Sequence, residues 1–362
     1  MSKEFCTFFN HGLFLSDKRT LEGKLTVMPC CLFKTAETLE NNGLAEIQSR
    51  WQTIDRFVPD CERCETSEKA TGKSYRKTSE MFKPDDDHSL TNIEIDYSNA
   101  CNAACAICRP QNSIKIAKLY QAEGKIFNAK TLPRNRQQEF FDVLNDLDLG
   151  KLQQLKIRGG EPLYIDFHEK VMKLIPNPEN VSIFYSTNGS IFPTEETWEL
   201  WKNFKQIVLQ FSIDGIGDQF EYIRTPLKWD QVQANMFAIR ERAASNTVFM
   251  IEHTLNPLNV YYFDRLYFWV KRNFNKNTFG VDTTISCHPC WAEWALDNAS
   301  EAVRAACLEK YKDKNDVVRI LNAATDPVVA EDFAMQVAGH DRRFKLSGKD
   351  VFPEIWDKQF SS

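Results

Sequence analysis

The sequence predicts an α/β protein: an open, incomplete (β/α)6 barrel, preceded by a small cysteine-rich domain and followed by a helical extension. Three observations carry that prediction. Strand-like and helix-like stretches alternate from Thr91 to Ser286, a pattern that requires crossover connections and a parallel sheet. Cys6, Cys30, Cys31, Cys61 and Cys64 crowd the start of the chain, where so short a segment has little core of its own and a metal staple fits. Beyond residue 290 only helical stretches follow.

The elements read in order as follows. Helical periodicity is scarce before Thr35, and Gly23 to Met28 reads as a strand that delivers Pro29-Cys30-Cys31. From Glu80 to Ser89 the chain turns polar, with Asp85, Asp86 and Asp87 in a row, which marks a solvated linker. The predicted domains are 1–80, a linker at 81–90, the barrel at 91–290 and the extension at 291–362. In the barrel, strands are expected at Thr91 to Asp96, Leu152 to Arg158, Val181 to Tyr185, Gln206 to Ile213, Thr247 to Thr254 and Gly280 to Ser286. Helices are expected between them, at Ser113 to Gln121, Gln137 to Leu147, Phe167 to Leu174, Glu195 to Asn203, Asp230 to Ala243 and Tyr262 to Lys271. Six repeats instead of eight leave the barrel open. The extension contains helical stretches at Ala302 to Lys312 and Val328 to Val337.

Composition narrows the function. Of 362 residues, 43% are hydrophobic, 26% charged and 12% aromatic, the mix of a chain folded throughout. A net charge of -5 and a pI near 5.8 provide no basic footprint, so nucleic acid is not expected as a partner. No apolar signal region and no run of membrane-span length is present, and a cytoplasmic protein without a membrane partner is expected. Eleven cysteines without a secretion signal read as metal ligands or catalytic groups, not disulfides.

The densest motif is Cys101-x-x-x-Cys105-x-x-Cys108, directly after the first barrel strand. Loops at the C-terminal ends of parallel strands are where ligands bind in such sheets. Thiolates favour zinc or iron–sulfur clusters, and three of them leave one coordination position open. A buried cysteine stripe on a helix is the plain alternative, but Asn102, Arg109, Gln111 and Asn112 make the surroundings polar. A zinc site with a borrowed ligand is the other alternative. Three further segments follow successive strands: Arg158-Gly159-Gly160-Glu161-Pro162, Ser186-Thr187-Asn188-Gly189, and Phe211-Ser212-Ile213-Asp214-Gly215 with Arg224 beyond. Taken singly, the first two read as ordinary turns and Arg224 as a surface ion-pair partner.

Together these segments resemble the motifs of the radical S-adenosylmethionine (radical SAM) superfamily, including the apolar Ile107 before the last cysteine. The resemblance implies a partial TIM-like barrel and a 4Fe-4S cluster on Cys101, Cys105 and Cys108 whose open iron takes S-adenosylmethionine. It implies that Gly159, Gly160, Glu161 and Pro162 serve the amino group, Ser186 and Asn188 the ribose, and Ser212 and Arg224 the carboxylate. It further implies a reduced flavodoxin or ferredoxin as electron donor and a 5'-deoxyadenosyl radical that abstracts hydrogen from a substrate.

Cys6, Cys30 or Cys31, Cys61 and Cys64 can supply four ligands, and Cys61-x-x-Cys64 has the spacing of one metal bite. From composition alone, zinc and iron–sulfur remain equally open. The arrangement resembles the auxiliary-cluster module of SPASM and twitch radical enzymes, placed here before the barrel, which implies one auxiliary 4Fe-4S cluster. Cys30 matches that pattern's Pro-Cys, although the interval from Gly23 is longer than usual and the fuller SPASM set is missing. Cys287 and Cys290 form a further pair, read as a plain loop before a metal or redox site, and Glu252 and His253 lie near the end of the fifth strand. The substrate implied by this likeness is a peptide or protein side chain. A small molecule such as a nucleoside or amino-sugar derivative, and a non-enzymatic iron–sulfur or zinc scaffold, are the competing readings.

Overall fold

Strand formation starts earlier than the sequence suggests. In the computed structural model, Gly12–Ser16 forms β1, buried along its whole length. It pairs in parallel with β4 (Asn92–Asp96), Phe14 opposite Glu94 and Ser16 opposite Asp96. On its other side β1 pairs antiparallel with β2 (Thr26–Met28), which pairs antiparallel with β3 (Glu37–Thr38). The cysteine-rich segment thus adds strands to the sheet instead of standing apart from it. A five-residue strand with no exposed position shows no alternation, which is why it does not announce itself in the sequence. The structure describes residues 5–18, 24–39, 43–72, 74–82, 89–125, 136–274, 283–290, 292–312, 315–323 and 330–360. Gly23 and most of the expected linker lie outside them.

All six expected barrel strands are present: β4, β5 (Gln154–Arg158), β6 (Ser182–Thr187), β7 (Gln206–Ser212), β8 (Thr247–Leu255) and β9 (Thr284–Pro289). The pairs β4 with β5, β5 with β6, and β8 with β9 are parallel, so the α/β class with a parallel sheet stands. The last strand runs further than predicted: Cys287 and His288 belong to β9 itself and do not follow it.

The chain divides into two compact units, one of residues 1–102, 109–186 and 193–208, the other of 103–108, 187–192 and 209–362. The first holds strands in the order β3-β2-β1-β4-β5-β6 and the start of β7; the second holds the rest of β7, then β8 and β9.

In the first unit the helices are α1 (Thr7–His11), α2 (Leu44–Trp51), α3 (Glu62–Thr71), α4 (Tyr75–Ser79), α5 (Ile114–Ala122), α6 (Gln137–Asn145), α7 (Phe167–Met172) and α8 (Glu195–Trp201). Side-chain hydroxyls at their N-termini explain several boundaries. Ser74, Ser113 and Thr194 each accept the N–H three residues on, as N-caps do. Alternation along the strands separates two faces. Ile93, Ile95, Leu155, Ile157, Ile183 and Tyr185 are fully buried, and Tyr185 meets His168 of α7 and Trp201 of α8. The opposite face carries charge: Glu94 lies 2.6 Å from Arg158, and Asp96 lies 2.5 Å from Lys18, whose side chain is almost wholly buried.

In the second unit α9 (Asp218–Ile223), α10 (Trp229–Arg242) and α11 (Phe263–Asn273) follow their strands. The extension is helical, as expected, with α12 (Glu301–Tyr311), α13 (Asn315–Ala323), α14 (Ala330–Phe344), α15 (Gly348–Val351) and α16 (Pro353–Phe360). It shares one apolar core with the barrel elements, in which Leu255, Tyr262 and Ile223 meet Val303, Phe333 and Phe352. His340 of α14 donates from Nε2 to the carbonyl of Tyr222 at 2.8 Å. Among the described residues no helix is long and apolar enough to cross a membrane.

Candidate functional site

The loop after β4 is built against the segment after β5. Glu161 N–H donates to the carbonyl of Ala100 at 2.8 Å, and Tyr97 Oη donates to the carbonyl of Pro162 at 3.1 Å. A Cβ on Gly160 would lie 2.3 Å from Ala100 O, and one on Gly159 would lie 2.5 Å from Tyr97 O. The two glycines therefore admit the backbone of the cysteine loop. On its far side the loop is fastened by Ile114 N–H to Asn99 O and by Asn99 Nδ2 to Pro110 O. Glu161 is buried, and its carboxylate accepts the N–H of Leu163 at 3.3 Å, capping the turn that begins at Pro162. Cys101 is buried in this unit, and Ser186 is half-buried near the end of β6.

Cys105 and Cys108 belong to the second unit. Their stretch is held by Ala104 N–H to Thr225 O at 2.7 Å and Ala106 N–H to Ile223 O at 2.8 Å, while Ile107 packs on the apolar core. Arg224 donates from Nε to Asp214 Oδ2 at 2.6 Å, and its Nη1 lies 4.0 Å from Cys105 Sγ. Asp214 is wholly buried and also accepts Thr254 N–H at 2.7 Å. Burial by itself would lower the affinity of Arg224 for its proton, but the charge of Asp214 and the sulfurs of Cys105 and Cys108 outweigh it, so the guanidinium is firmly charged. Arg224 is thus a buried ion-pair partner, not a surface one. Ser212 ends β7. Asn188 is buried, and its Oδ1 accepts from the N–H of Ser190 at 2.9 Å and from its hydroxyl at 2.5 Å, closing the turn in which Gly189 has φ 74°.

In the first unit Cys6, Cys30, Cys61 and Cys64 line one pocket, together with Asp60, Arg76 and apolar side chains. The structure brings Cys30 to this pocket and turns Cys31 away, to a hydrogen bond with Glu94 of β4. Burial pushes the Cys6 thiol up to about 12 and the Cys31 thiol up to about 11. None of the eleven cysteines forms a disulfide, and among the described residues no group of three or more His, Cys, Asp or Glu side chains is arranged to hold a single metal ion. Arg76, well beyond Cys64, and Asp60, directly before Cys61, belong to no motif that marks them in the sequence as residues of this pocket.

The late candidates separate. Glu252 accepts from Gln210 Nε2 at 3.0 Å and meets His288 Nε2 at 2.7 Å. His253 is buried on the other face of β8, with Nδ1 2.9 Å from the carbonyl of Ile213, and burial lowers its pKa. Cys290 lies in the apolar core with Cys307, and Cys287 packs against it half-buried, so this pair sits in structural surroundings.

No protein-family model matches the chain, and no curated protein matches it. Among solved structures, the chain is similar to native anSMEcpe with bound AdoMet, at 16% identity and a TM-score of 0.41, over 64% of this chain and 62% of that one. It is similar to native anSMEcpe with bound AdoMet and Cp18Cys peptide, at 17% identity and a TM-score of 0.41, over 64% and 61%. It is also similar to Streptococcus suis SuiB bound to S-adenosylmethionine, at 13% identity and a TM-score of 0.40, over 76% and 58%. The matched region spans less than two thirds of each of these proteins. By its own motifs, one at the C-terminal end of each of β4, β5, β6 and β7, with Ser186 and Ser212 still inside their strands, the chain resembles the radical SAM superfamily.

Proposed function

We propose that the chain is a radical SAM enzyme with a second, four-cysteine iron–sulfur centre, and that it acts on a peptide or protein side chain. The observation that carries the reading is the strapping of the cysteine loop to the Gly-Gly-Glu-Pro segment, by the hydrogen bond from Glu161 N–H to Ala100 O. It lies at the C-terminal ends of parallel strands, where this class of sheet binds ligands.

The donor chemistry fits the cofactors. By the spacing of their motif in the sequence, Cys101, Cys105 and Cys108 would hold a 4Fe-4S cluster with one open iron, and Cys6, Cys30, Cys61 and Cys64, which share a pocket, would close an auxiliary cluster. Bound S-adenosylmethionine and the reduced cluster would supply a 5'-deoxyadenosyl radical for hydrogen abstraction. The protein's part is to position them. Glu161 would accept from the amino group, Ser186 and Asn188 would face the ribose, and Ser212 and Arg224 would receive the carboxylate. Asp214 holds Arg224 by one of its five N–H donors and leaves others for a carboxylate. The peptide assignment rests on the likeness of the first cysteines to SPASM and twitch enzymes. A flavodoxin or ferredoxin would serve as electron donor.

The test is anaerobic reconstitution with iron and sulfide, reduction, and assay for 5'-deoxyadenosine from S-adenosylmethionine. Product is expected from the native chain and none from Cys105→Ala. Absence of product from protein with both clusters loaded overturns the reading.

A further inference from the structure

The pocket of four cysteines has one cation on its wall. Among the described lining residues the charged side chains are Arg76 and Asp60, and four apolar side chains supply the rest of the wall. Arg76 is held from several directions. Its Nε and Nη2 donate to the two carboxylate oxygens of Glu68 at 2.8 and 2.7 Å, and its Nη1 donates to the carbonyl of Phe5 at 2.6 Å. Its guanidinium carbon lies 4.9 Å from the ring of Phe5 and 5.5 Å from that of Phe57. Both partners of the ion pair are largely buried, with side chains 16% and 13% exposed. A forked, doubly bonded guanidinium loses little further freedom and keeps its orientation.

Glu68 does not line the pocket, whereas Arg76 does. The pair is therefore a fixed dipole with its positive end on the wall that the cysteines share. Asp60 is partly engaged elsewhere, since its Oδ1 accepts Thr35 N–H at 2.7 Å. Four thiolates give an iron–sulfur group net negative charge, and one-electron reduction makes it more negative. A nearby positive field favours the reduced form, and it acts strongly where apolar walls keep water away.

We propose that Arg76, oriented by Glu68, is the redox-tuning residue of this centre and raises the midpoint potential of an iron–sulfur group on Cys6, Cys30, Cys61 and Cys64. The assignment rests on the reading of these cysteines as a cluster site. Arg76 acts on that group through its field and is a positioning residue, not a catalytic one.

The experiment uses the full chain, reconstituted anaerobically with iron and sulfide and carrying Cys101→Ala, Cys105→Ala and Cys108→Ala so that a single centre remains. Its potential is titrated by electron paramagnetic resonance, with iron content measured alongside. Arg76→Gln should shift the midpoint to a more negative value, Arg76→Lys should stay near the parent, and Glu68→Gln, which keeps an acceptor but removes the counter-charge, should shift it upward. If Arg76→Gln fails to load iron, Glu68→Gln still decides by the sign of its shift. Unchanged potentials in fully loaded Arg76→Gln and Glu68→Gln, or an equal fall in Arg76→Lys and Arg76→Gln, overturn the proposal. Failure of the underlying reading looks different: the parent itself then binds no more iron than the same chain with Cys61→Ala added.

Discussion

Arg224 donates from Nε to Asp214 at 2.6 Å, and the carboxylate it meets is wholly buried. The same carboxylate takes the N–H of Thr254, while Nη1 of Arg224 points to Cys105 Sγ at 4.0 Å. One buried pair thus ties the end of β7, the end of β8 and the cysteine loop together.

Breaking that pair leaves a charge buried without its partner, which costs roughly 3–5 kcal/mol. Asp214→Asn should lower the unfolding free energy by about this amount in denaturant titrations, and should weaken S-adenosylmethionine binding as Arg224 loses its orientation. A loss below about 1 kcal/mol, the range of an exposed ion pair, would show that the pair carries no such load.

Two glycines should respond in opposite ways to alanine. At Gly160 a Cβ would meet the carbonyl of Ala100 at 2.3 Å, and backbone on both sides cannot yield cheaply. Gly160→Ala should displace the cysteine loop and, on the proposed reading, reduce the iron bound in a Cys61→Ala background, as read by iron analysis. Gly339, inside α14, has nothing within 4 Å of its Cβ position, so Gly339→Ala should raise stability by about 0.5–1 kcal/mol through helix propensity alone.

Acid should destabilise the fold. Burial holds His168 and His340 at about 4 in the folded chain against an ordinary 6.5. The unfolded chain then binds more protons between those values, and stability falls as pH drops from about 6.5 to about 4. Asp17 acts in the reverse sense, because burial raises it to about 7 from 3.8 and its contribution is lost as pH rises. Asp17→Asn should therefore steepen the loss on acidification, and His340→Gln should flatten it. Unfolding free energies across pH 4 to 7 check both signs.

Cys30 and Cys31 are neighbours in sequence and separate in space. Cys61→Ala should remove about half the iron of the reconstituted chain, because two clusters of equal size are expected, and Cys31→Ala should keep it. Equal losses in both variants would place Cys31 in the centre as well.

The alternation of strands and helices was legible because β6 and β8 bury every second residue and their helices carry hydroxyl caps or matching periodicity. The four strand-end motifs were legible because their chemistry is compressed into a few consecutive residues. β1 was not, since a short strand buried at every position has no period to read. Arg76 was not, since its partners Glu68 and Phe5 lie 8 and 71 residues away and only folding brings them to the cysteines.

By itself the sequence determined the α/β class, the order of the six strands and the identity of the thiols available as ligands, all consequences of local periodicity and local spacing. Tertiary structure alone decided that Cys30 and not Cys31 faces Cys6, Cys61 and Cys64, because the two lie in the turn after β2 and only the packing of that turn sets which of two adjacent side chains faces the pocket. It also decided that Gly159 and Gly160 make room for a neighbouring backbone, and that Arg224 is held by Asp214. Such contacts form between strand ends and loops that the chain brings together only when the sheet is assembled.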